Sequence, residues 1–408
     1  MEKLKNIPSL RFPEFDGEWK KTKFDQILEI TRLAGYEYST YWQEDENKEI
    51  IALRGYNIGK GKLELNNLGY ISKELSLKLI RSKLYKGDIV YPCVGTIGNA
   101  VVIEEDDKYH IQQNIAKITP KENTSPYFIT QFLMSDLGLN EVYKFNATSS
   151  QPNVLVGSLR NFEITLPPSF PEQTKIASFL TAVDDKLTAL KQKKNLLEQY
   201  KKGVMQKIFS QELRFRDDNG NDYPDWEEKK LGDIVKEYNV KSIVNDQYVV
   251  LSSSMGGIKL QSDYFTKDVS SKDNTGYKIV PKGYFTYRSM SDTGSFTFNI
   301  QNIVDIGIVS PAYPVFKTID SIVSEYLSFY LNNSNKIIND LLGLKEGGTR
   351  YALSFSKFSR LEVILPSFQE QTKIGNFLSA IDDKINHCGV QIEKIEVWKK
   401  GLLQQLFC

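Results

Sequence analysis

The stretch S-F-P-E-Q-T-K-I-A-S-F-L-T-A-V-D-D-K at residues 169–186 returns as S-F-Q-E-Q-T-K-I-G-N-F-L-S-A-I-D-D-K at residues 367–384. The offset of 198 residues continues without a gap to residues 209 and 407, and 19 of the 41 aligned residues are identical. Such identity at so long a separation indicates an internal duplication. The duplicated stretch therefore predicts the architecture of the whole chain.

Each copy of the duplicated stretch has the pattern of one long helix. Ser169 with Glu172, and Ser367 with Glu370, fit the S-x-x-E capping box of a helix N-terminus. The following apolar residues step by four and three, which is the seam of a coiled coil. We expect the two helices to pair and the seam lysines to reach outward to water. The seam comprises Ile176, Leu180, Val183, Leu187, Leu190, Lys194, Leu197, Lys201, Val204 and Ile208, then Ile374, Leu378, Ile381, Ile385, Cys388, Ile392, Ile395, Lys399, Leu402 and Leu406.

A weaker repeat indicates that the order of the repeated segments along the chain is circular. The tripeptide L-R-F at residues 213–215, which follows the first helix, also occurs at residues 10–12. A tryptophan follows each tripeptide, Trp226 in one case and Trp19 in the other. The segment expected after the second helix thus stands at the N-terminus, so the chain can close into a pseudo-twofold arrangement.

We divide the chain into globule 1 at residues 1–165, a helical spacer at 166–215, globule 2 at 216–364 and a second helical spacer at 365–408. Short β-branched and aromatic runs such as residues 306–309 predict strands, and helical patches interrupt them. The predicted fold class is α+β. Two mixed globules are separated by two long helices that pack as an antiparallel coiled coil.

Composition narrows the classes of function. The 408 residues are too many for one core. No stretch approaches eighteen apolar residues and the N-terminus is polar, so we expect no membrane span and a cytoplasmic protein. Three cysteines and two histidines without ligand spacing argue against a metal site. Globule 1 holds 21 basic and 22 acidic residues, and globule 2 holds 17 and 19, so any DNA-binding face is a small basic patch.

E-Q-T-K-I at the head of a long helix, twice, each after a variable globule ending in L-P, resembles the specificity (S) subunit of type I restriction–modification enzymes. The resemblance covers the whole chain. Two motifs that recur in this family, G-D-I and L-P-P, are found at residues 87–89 and 166–168. The second copy departs from them with G-Y-F at residues 283–285 and a single proline, Pro366.

The resemblance implies that each globule binds one half of a split, asymmetric sequence of double-stranded DNA. It implies that the helices bind two methyltransferase subunits, which methylate adenine at N6, and that motor-nuclease subunits complete the enzyme. The chain itself is then not an enzyme and needs no cofactor. S-adenosylmethionine, ATP and Mg²⁺ belong to the partner subunits.

Candidate DNA-binding residues lie on polar loops, because Gln and Asn can bond an adenine edge and Arg a guanine edge. A plain surface loop is the alternative for each of them. The candidates are Ser149, Gln151 and Asn153 on one loop of globule 1, with Lys345, Thr349, Arg350 and Tyr351 on the corresponding loop of globule 2; Thr96 and Asn99 on a second loop, with Arg288 and Thr293 on its counterpart; and Arg54.

Polar and aromatic residues recur on the two helices and are candidates for contact with the methyltransferases, with solvated helix surface as the alternative. Adjacent aspartates on a helix point about 100° apart, which is poor geometry for joint metal ligation. The candidates are Asp184, Asp185, Tyr200, Asp382, Asp383 and Trp398.

Two other classes of function remain open. A coiled-coil scaffold could join two protein-binding globules without any role in DNA recognition. A nuclease or methyltransferase would need an active site, but the chain has no N/D-P-P-Y/F motif and no G-x-G-x-x-G loop.

Overall fold

Two units make up the chain in a computed structural model. Unit 1 comprises residues 1–192 and 390–408, and unit 2 comprises residues 193–389. Each unit holds one globule with half of each duplicated helix. The structure describes residues 6–145, 153–264, 273–343 and 351–407.

Globule 1 consists of short strands and helices. Its strands are β1 (Lys20–Lys23), β2 (Leu28–Arg32), β3 (Ile50–Leu53), β4 (Gly69–Ile71), β5 (Ile89–Pro92), β6 (Val101–Val102), β7 (Tyr109–Ile111), β8 (Ile115–Pro120) and β9 (Glu163–Leu166). Its helices are α1 (Phe24–Ile27), α2 (Gly35–Tyr41), α3 (Lys73–Lys78), α4 (Pro126–Leu133), α5 (Asp136–Lys144) and α6 (Val156–Leu159). Ser125 caps α4 by accepting from the Phe128 N–H, and Pro126 occupies the first helical turn.

The first duplicated stretch forms α7 (Phe170–Phe209), and the second forms α13 (Phe368–Leu406). The prediction of one long helix per copy is confirmed. Helix α7 has 40 residues, about 60 Å at the rise of an α-helix.

Globule 2 follows α7 and has the same kinds of element. Its strands are β10 (Glu227–Lys230), β11 (Val235–Glu237), β12 (Val249–Ser254), β13 (Gly257–Leu260), β14 (Lys278–Pro281), β15 (Phe285–Thr286), β16 (Met290–Ser291), β17 (Asn299–Ile300), β18 (Ile306–Val309), β19 (Val315–Thr318), β20 (Tyr351–Ala352) and β21 (Glu362–Leu365). Its helices are α8 (Leu231–Ile234), α9 (Gln261–Tyr264), α10 (Ser324–Asn333), α11 (Asn335–Gly343) and α12 (Phe355–Phe358). The strand expected at residues 306–309 is present as β18.

The two globules share the strand order of the larger sheet although their sequences differ, and the smaller sheet of globule 2 has one strand more than that of globule 1. The larger sheet has the order β2-β8-β5-β6 in globule 1 and β11-β19-β15-β17 in globule 2. The smaller sheet has the order β4-β3-β7 in one and β13-β12-β18-β14 in the other. In both smaller sheets one neighbouring pair is parallel, β3 with β7 and β12 with β18. The duplication therefore includes the globules as well as the helices.

Within each unit the seam of the helices completes the core of the globule. In unit 1, Ile176 and Leu180 of α7 join Leu402 and Leu406 of α13 in one buried cluster. In unit 2, Ile208 of α7 belongs to a cluster with residues of α13, namely Ile374, Leu378 and Ile381. No seam residue of either helix is exposed. The period of the seam thus predicted correctly which helix face is buried.

A buried carboxylate joins the start of each long helix to the segment that precedes the globule. Glu172 is fully buried and accepts from Arg11 through Nε at 2.7 Å and Nη2 at 2.9 Å. The indole of Trp19 donates to the same carboxylate at 3.2 Å. The Ser half of the capping box is present, since the Glu172 N–H donates to Ser169 at 3.4 Å. The capping box also predicted that the Glu172 side chain bonds the backbone at the start of its own helix. That part of the prediction was wrong, because the carboxylate binds Arg11 and Trp19.

The second copy repeats this junction residue for residue. Glu370 accepts from Arg214 Nη2 at 2.8 Å and from the Trp226 indole at 3.2 Å. The hydrogen bond to Glu370 raises the pKa of Arg214. The L-R-F and tryptophan repeats are therefore the partners of the glutamate in E-Q-T-K-I.

The N-terminus docks on the last helix as the chain after α7 docks on α7. The Leu213 N–H donates to the Lys207 carbonyl at 3.0 Å. The Leu10 N–H donates to the Gln405 carbonyl, also at 3.0 Å. Residues 207 and 405 are separated by the repeat offset of 198. The same hydrogen bond thus forms in unit 1, where the two segments are far apart in sequence, and in unit 2, where one directly follows the other.

We predict that Glu172→Ala destabilises unit 1 by about 3–5 kcal/mol, because it removes the buried carboxylate that neutralises the largely buried Arg11 guanidinium. Urea unfolding followed by circular dichroism measures the loss. Glu122→Ala, an exposed glutamate of the same unit, is the control and should change the free energy of unfolding by no more than about 0.5 kcal/mol. Equal losses in the two variants would refute the importance of the junction.

We predict a pH-dependent stability that arises from His110. Both ring nitrogens face carbonyl oxygens, Nδ1 at 2.8 Å from Ile111 and Nε2 at 3.2 Å from Leu79, in a fully buried site. Burial lowers the pKa of His110 below its ordinary value. The unfolded chain therefore binds the proton more readily than the folded chain, and stability falls as pH drops below about 6.5.

Urea midpoints measured from pH 8 to pH 5 test this expectation. The decline toward low pH should be smaller in His110→Gln than in the native chain. His387→Gln removes the other histidine, which is exposed, and should leave the slope unchanged. An unchanged slope in His110→Gln would contradict the assignment.

Candidate nucleic-acid interface

Three candidate segments of globule 1 meet at one place. The Thr96 hydroxyl donates to the Gly55 carbonyl at 3.1 Å, directly after Arg54. The Asn99 amide donates to the Ile58 carbonyl at 2.9 Å. Asn153 forms an isolated β-bridge with Val94, at the start of the same loop. The structure therefore brings Arg54, Thr96, Asn99 and Asn153 into one surface region.

Arg54 is held by its neighbours. Its guanidinium forms an ion pair with Glu44 and donates from Nη1 to the Tyr56 hydroxyl at 2.9 Å. Tyr56 in turn donates to the Asn67 carbonyl at 3.0 Å and is 50% exposed. The sequence analysis missed Tyr56. An aromatic residue next to an arginine in a glycine-containing loop was the available signal.

The corresponding candidates of globule 2 surround a groove of about 450 Å³. Arg288, Asp292 and Thr293 line one part of it, and the turn between β12 and β13 lines the other. Asn299 fixes this turn by donating to Ser253 Oγ at 2.8 Å and to the Ser254 carbonyl at 2.9 Å. The sequence analysis missed the turn, because nothing in a short serine run indicates that it will lie beside Arg288.

The loops after β5 and β15 are equivalent in structure. Gly98 and Gly294 both have positive φ, +89° and +80°. A Cβ on either would lie 2.9 Å from a leucine Cδ2, that of Leu139 or that of Leu342, so both positions need glycine. The backbone of the loop is thus shared, although its side chains are not.

A second shared feature places the loops beside the segment before β9 and β21. Met290 pairs with Ala352 and Ser291 with Tyr351 in globule 2. The bridge between Val94 and Asn153 occupies the same place in globule 1. Tyr351 thus joins the region of Arg288 and Thr293. The other candidates of this segment, Ser149, Gln151, Lys345, Thr349 and Arg350, lie outside the described residues.

Two of the helix candidates form ion pairs with seam lysines. In unit 2, Lys201 Nζ lies 2.6 Å from both carboxylate oxygens of Asp382. In unit 1, Lys399 Nζ lies 2.5 Å from Asp184 Oδ1. The pairs are equivalent under the offset of 198, since Asp184 corresponds to Asp382 and Lys201 to Lys399. The expectation that these lysines reach out to water was wrong, because a carboxylate of the other helix lies within reach.

The other helix candidates are exposed. Tyr200 is 54% exposed and Trp398 is 51% exposed, and Asp185 and Asp383 also face solvent. Trp398 packs edge-on against Phe179 with ring centroids 6.0 Å apart. Their exposure leaves these side chains available for contact with another protein.

Reactive groups are scarce in the described parts of the chain. No group of three His, Cys, Asp or Glu residues in those parts could hold a metal ion. Burial raises the pKa of the Cys93 thiol to about 11, which keeps it protonated and unreactive. No described helix is long and apolar enough to cross a membrane.

Comparisons with known proteins agree with this architecture. The family described as "Type I restriction modification DNA specificity domain" matches residues 16–199 and again residues 223–397. Each match takes in one globule and most of the helix that follows it. The chain belongs to this family, and it contains two copies of the domain.

Individual relatives extend the comparison to full length. A putative type I restriction enzyme MjaX specificity subunit from Methanocaldococcus jannaschii is 22% identical over 99% of this chain and 96% of its own. The EcoBI specificity subunit of Escherichia coli is 30% identical over 39% of this chain and 33% of its own. The solved S subunit from M. genitalium has a TM-score of 0.60 at 15% identity, over 98% of this chain and 99% of its own, and shares the fold.

We predict that reversing the Lys201–Asp382 pair reveals a favourable coupling between the helices of unit 2. Lys201→Glu places two carboxylates together and should lower the urea midpoint, while adding Asp382→Lys should recover about 1 kcal/mol, the value for a partly exposed pair. Lys202→Glu, an exposed neighbour, is the control and should not respond to Asp382→Lys. Losses that simply add in the double variant would show that the pair does not couple the helices.

Proposed function

We propose that this chain is the DNA specificity subunit of a type I restriction–modification complex. Each globule reads one half of a bipartite, asymmetric site on double-stranded DNA. The chain carries no catalytic site of its own. Two methyltransferase subunits methylate an adenine at N6 in each half, and motor-nuclease subunits complete the restriction enzyme.

The observation that carries the proposal is one loop scaffold with two sets of side chains. Gly98 and Gly294 keep the loop backbone alike in both globules. Thr96 of globule 1 corresponds to Asp292 of globule 2, counted from these glycines. DNA presents the same phosphate backbone in every half-site but different base edges. Equal scaffolds with unequal side chains suit the reading of two different half-sites.

We propose further that α7 and α13 run antiparallel as a coiled coil and relate the globules by a pseudo-twofold. The reciprocal ion pairs, Lys399 with Asp184 and Lys201 with Asp382, support this arrangement. So does the equivalent docking of Leu10 and Leu213. In this arrangement the target-recognition domains are residues 1–165 and 216–364, and the helical spacers set the distance between the half-sites.

The exposed helix residues are the proposed contacts of the methyltransferases. Tyr200 and Trp398 are aromatic and about half exposed, and aromatic residues are enriched at protein interfaces. Asp185 and Asp383 add exposed charge. Asp184 and Asp382 already serve as partners of seam lysines, so their proposed role is indirect, through the position of the helices.

Exchanging one globule tests the proposal. We expect a chain in which residues 216–364 come from another family member to direct N6-adenine methylation to sites that keep one half and change the other. Sequencing that detects modified adenines in the host genome gives the motif. The matched control exchanges residues 1–165 and should change the opposite half.

The same measurement separates this function from a scaffold without a DNA role. Deletion of the chain should abolish bipartite methylation. A methylation pattern that survives the deletion unchanged would favour the scaffold. A motif that changes in both halves after a single exchange would contradict the assignment of one half to each globule.

A further inference from the structure

The groove of globule 2 has the chemistry of a base-reading surface. Its lining includes hydroxyl groups and one basic residue, Arg288, among the lining residues that the structure describes. Hydroxyl groups can donate to or accept from base edges, and an arginine fork matches the two acceptors of guanine in the major groove. The hydroxyl-bearing lining residues include Ser252, Ser253, Ser254, Ser291, Thr293 and Ser295.

The backbone around Arg288 is held on both sides. Tyr287 before it is fully buried and packs on Phe298 with ring centroids 5.0 Å apart. The backbone carbonyl of Ser289, the next residue, accepts a hydrogen bond from the Leu353 N–H at 2.8 Å. A side chain that leaves so firmly held a backbone enters the groove from a fixed point, which lowers the entropy cost of binding.

The guanidinium of Arg288 is unengaged among the described residues. Arg288 is exposed, and no ion pair or hydrogen bond to another described residue holds its side chain. Arg54 of globule 1 differs, since Glu44 and Tyr56 occupy its guanidinium. Arg288 therefore keeps its donors for a ligand.

The comparison of the globules indicates a base rather than a phosphate as the ligand of Arg288. Counting back from the equivalent glycines, Gly98 and Gly294, places Pro92 of globule 1 opposite Arg288. Pro92 is buried and has no donor to offer. A phosphate contact would serve both half-sites alike, whereas a contact present in only one globule fits a base present in only one half-site.

We propose that Arg288 reads a guanine in the half-site bound by globule 2, and that the β12–β13 turn forms the opposite wall of this reading groove. The assignment rests on the proposed function. It names a specificity-determining residue and the base that it recognises. It also predicts that the half-site of globule 2 contains at least one guanine.

The test is the methylation motif of the complete complex in cells that carry Arg288→Ala. We expect one guanine of the globule 2 half-site to become degenerate, with discrimination against other bases at that position falling roughly 10- to 100-fold. The half-site of globule 1 should stay the same. Arg288→Lys keeps the positive charge but loses the paired N–H donors of the guanidinium. It should therefore discriminate better than Arg288→Ala but less well than the native chain.

Arg360→Ala is the matched control, because Arg360 is an exposed arginine of the same globule outside the groove lining. It should leave the motif unchanged. The urea midpoint of each variant checks that the chain still folds, as expected for exposed side chains.

The outcomes separate the two proposals. A native chain that directs no bipartite methylation would overturn the function itself. A native bipartite motif that Arg288→Ala leaves intact would overturn only the reading role. A uniform loss of methylation at all sites, with every base still specified, would assign Arg288 to a phosphate and overturn the base contact.

Discussion

The buried carboxylate at the head of each long helix is the constraint on which the rest of the structure depends. Glu172 and Glu370 are fully buried, and an ionised carboxylate is costly to bury unless strong donors surround it. An arginine fork and an indole supply those donors in both copies. The start of the helix, the L-R-F segment that carries the arginine and the tryptophan that precedes the first strand of the globule must therefore come together for either copy to fold.

The glutamine of the E-Q-T-K-I motif attaches the same turn of the helix to the globule. Gln173 accepts from the Ser125 N–H at 2.9 Å and donates to the Pro167 carbonyl at 3.0 Å. Gln371 makes the same pair of contacts in the other copy, with the Val323 N–H and the Pro366 carbonyl. The E-Q-T-K-I motif thus recurs because its side chains hold the helix against the globule. The described residues of the loops that hold Thr96 and Arg288 take no part in these bonds, and so their side chains are free to differ between the two globules.

Sequence patterns predicted the elements that local physics controls. The four-three step of apolar residues identified α7, α13 and their buried faces, because a helix places residues four and three apart on one side. The capping-box glutamates and seam lysines were misjudged for one reason. The carboxylate of such a glutamate can bond to its own helix, and the ammonium group of such a lysine can bond to water. Partners that are distant in sequence, Arg11 for Glu172 and Asp382 for Lys201, compete for the same atoms. The loop candidates were found by composition, but Tyr56 and the β12–β13 turn were not.

The sequence by itself determined the duplication, the two helices and the absence of any familiar catalytic motif, since all of these are carried by order and period along the chain. Only the tertiary structure decided that two globules of dissimilar sequence share the strand order of the larger sheet, that Thr96 contacts Gly55 directly after Arg54, and that Arg288 has no partner among the described residues. Strand pairing and side-chain neighbours depend on contacts between residues far apart in sequence. A local pattern does not encode those contacts, because the free energy that selects them arises only when the whole globule is packed.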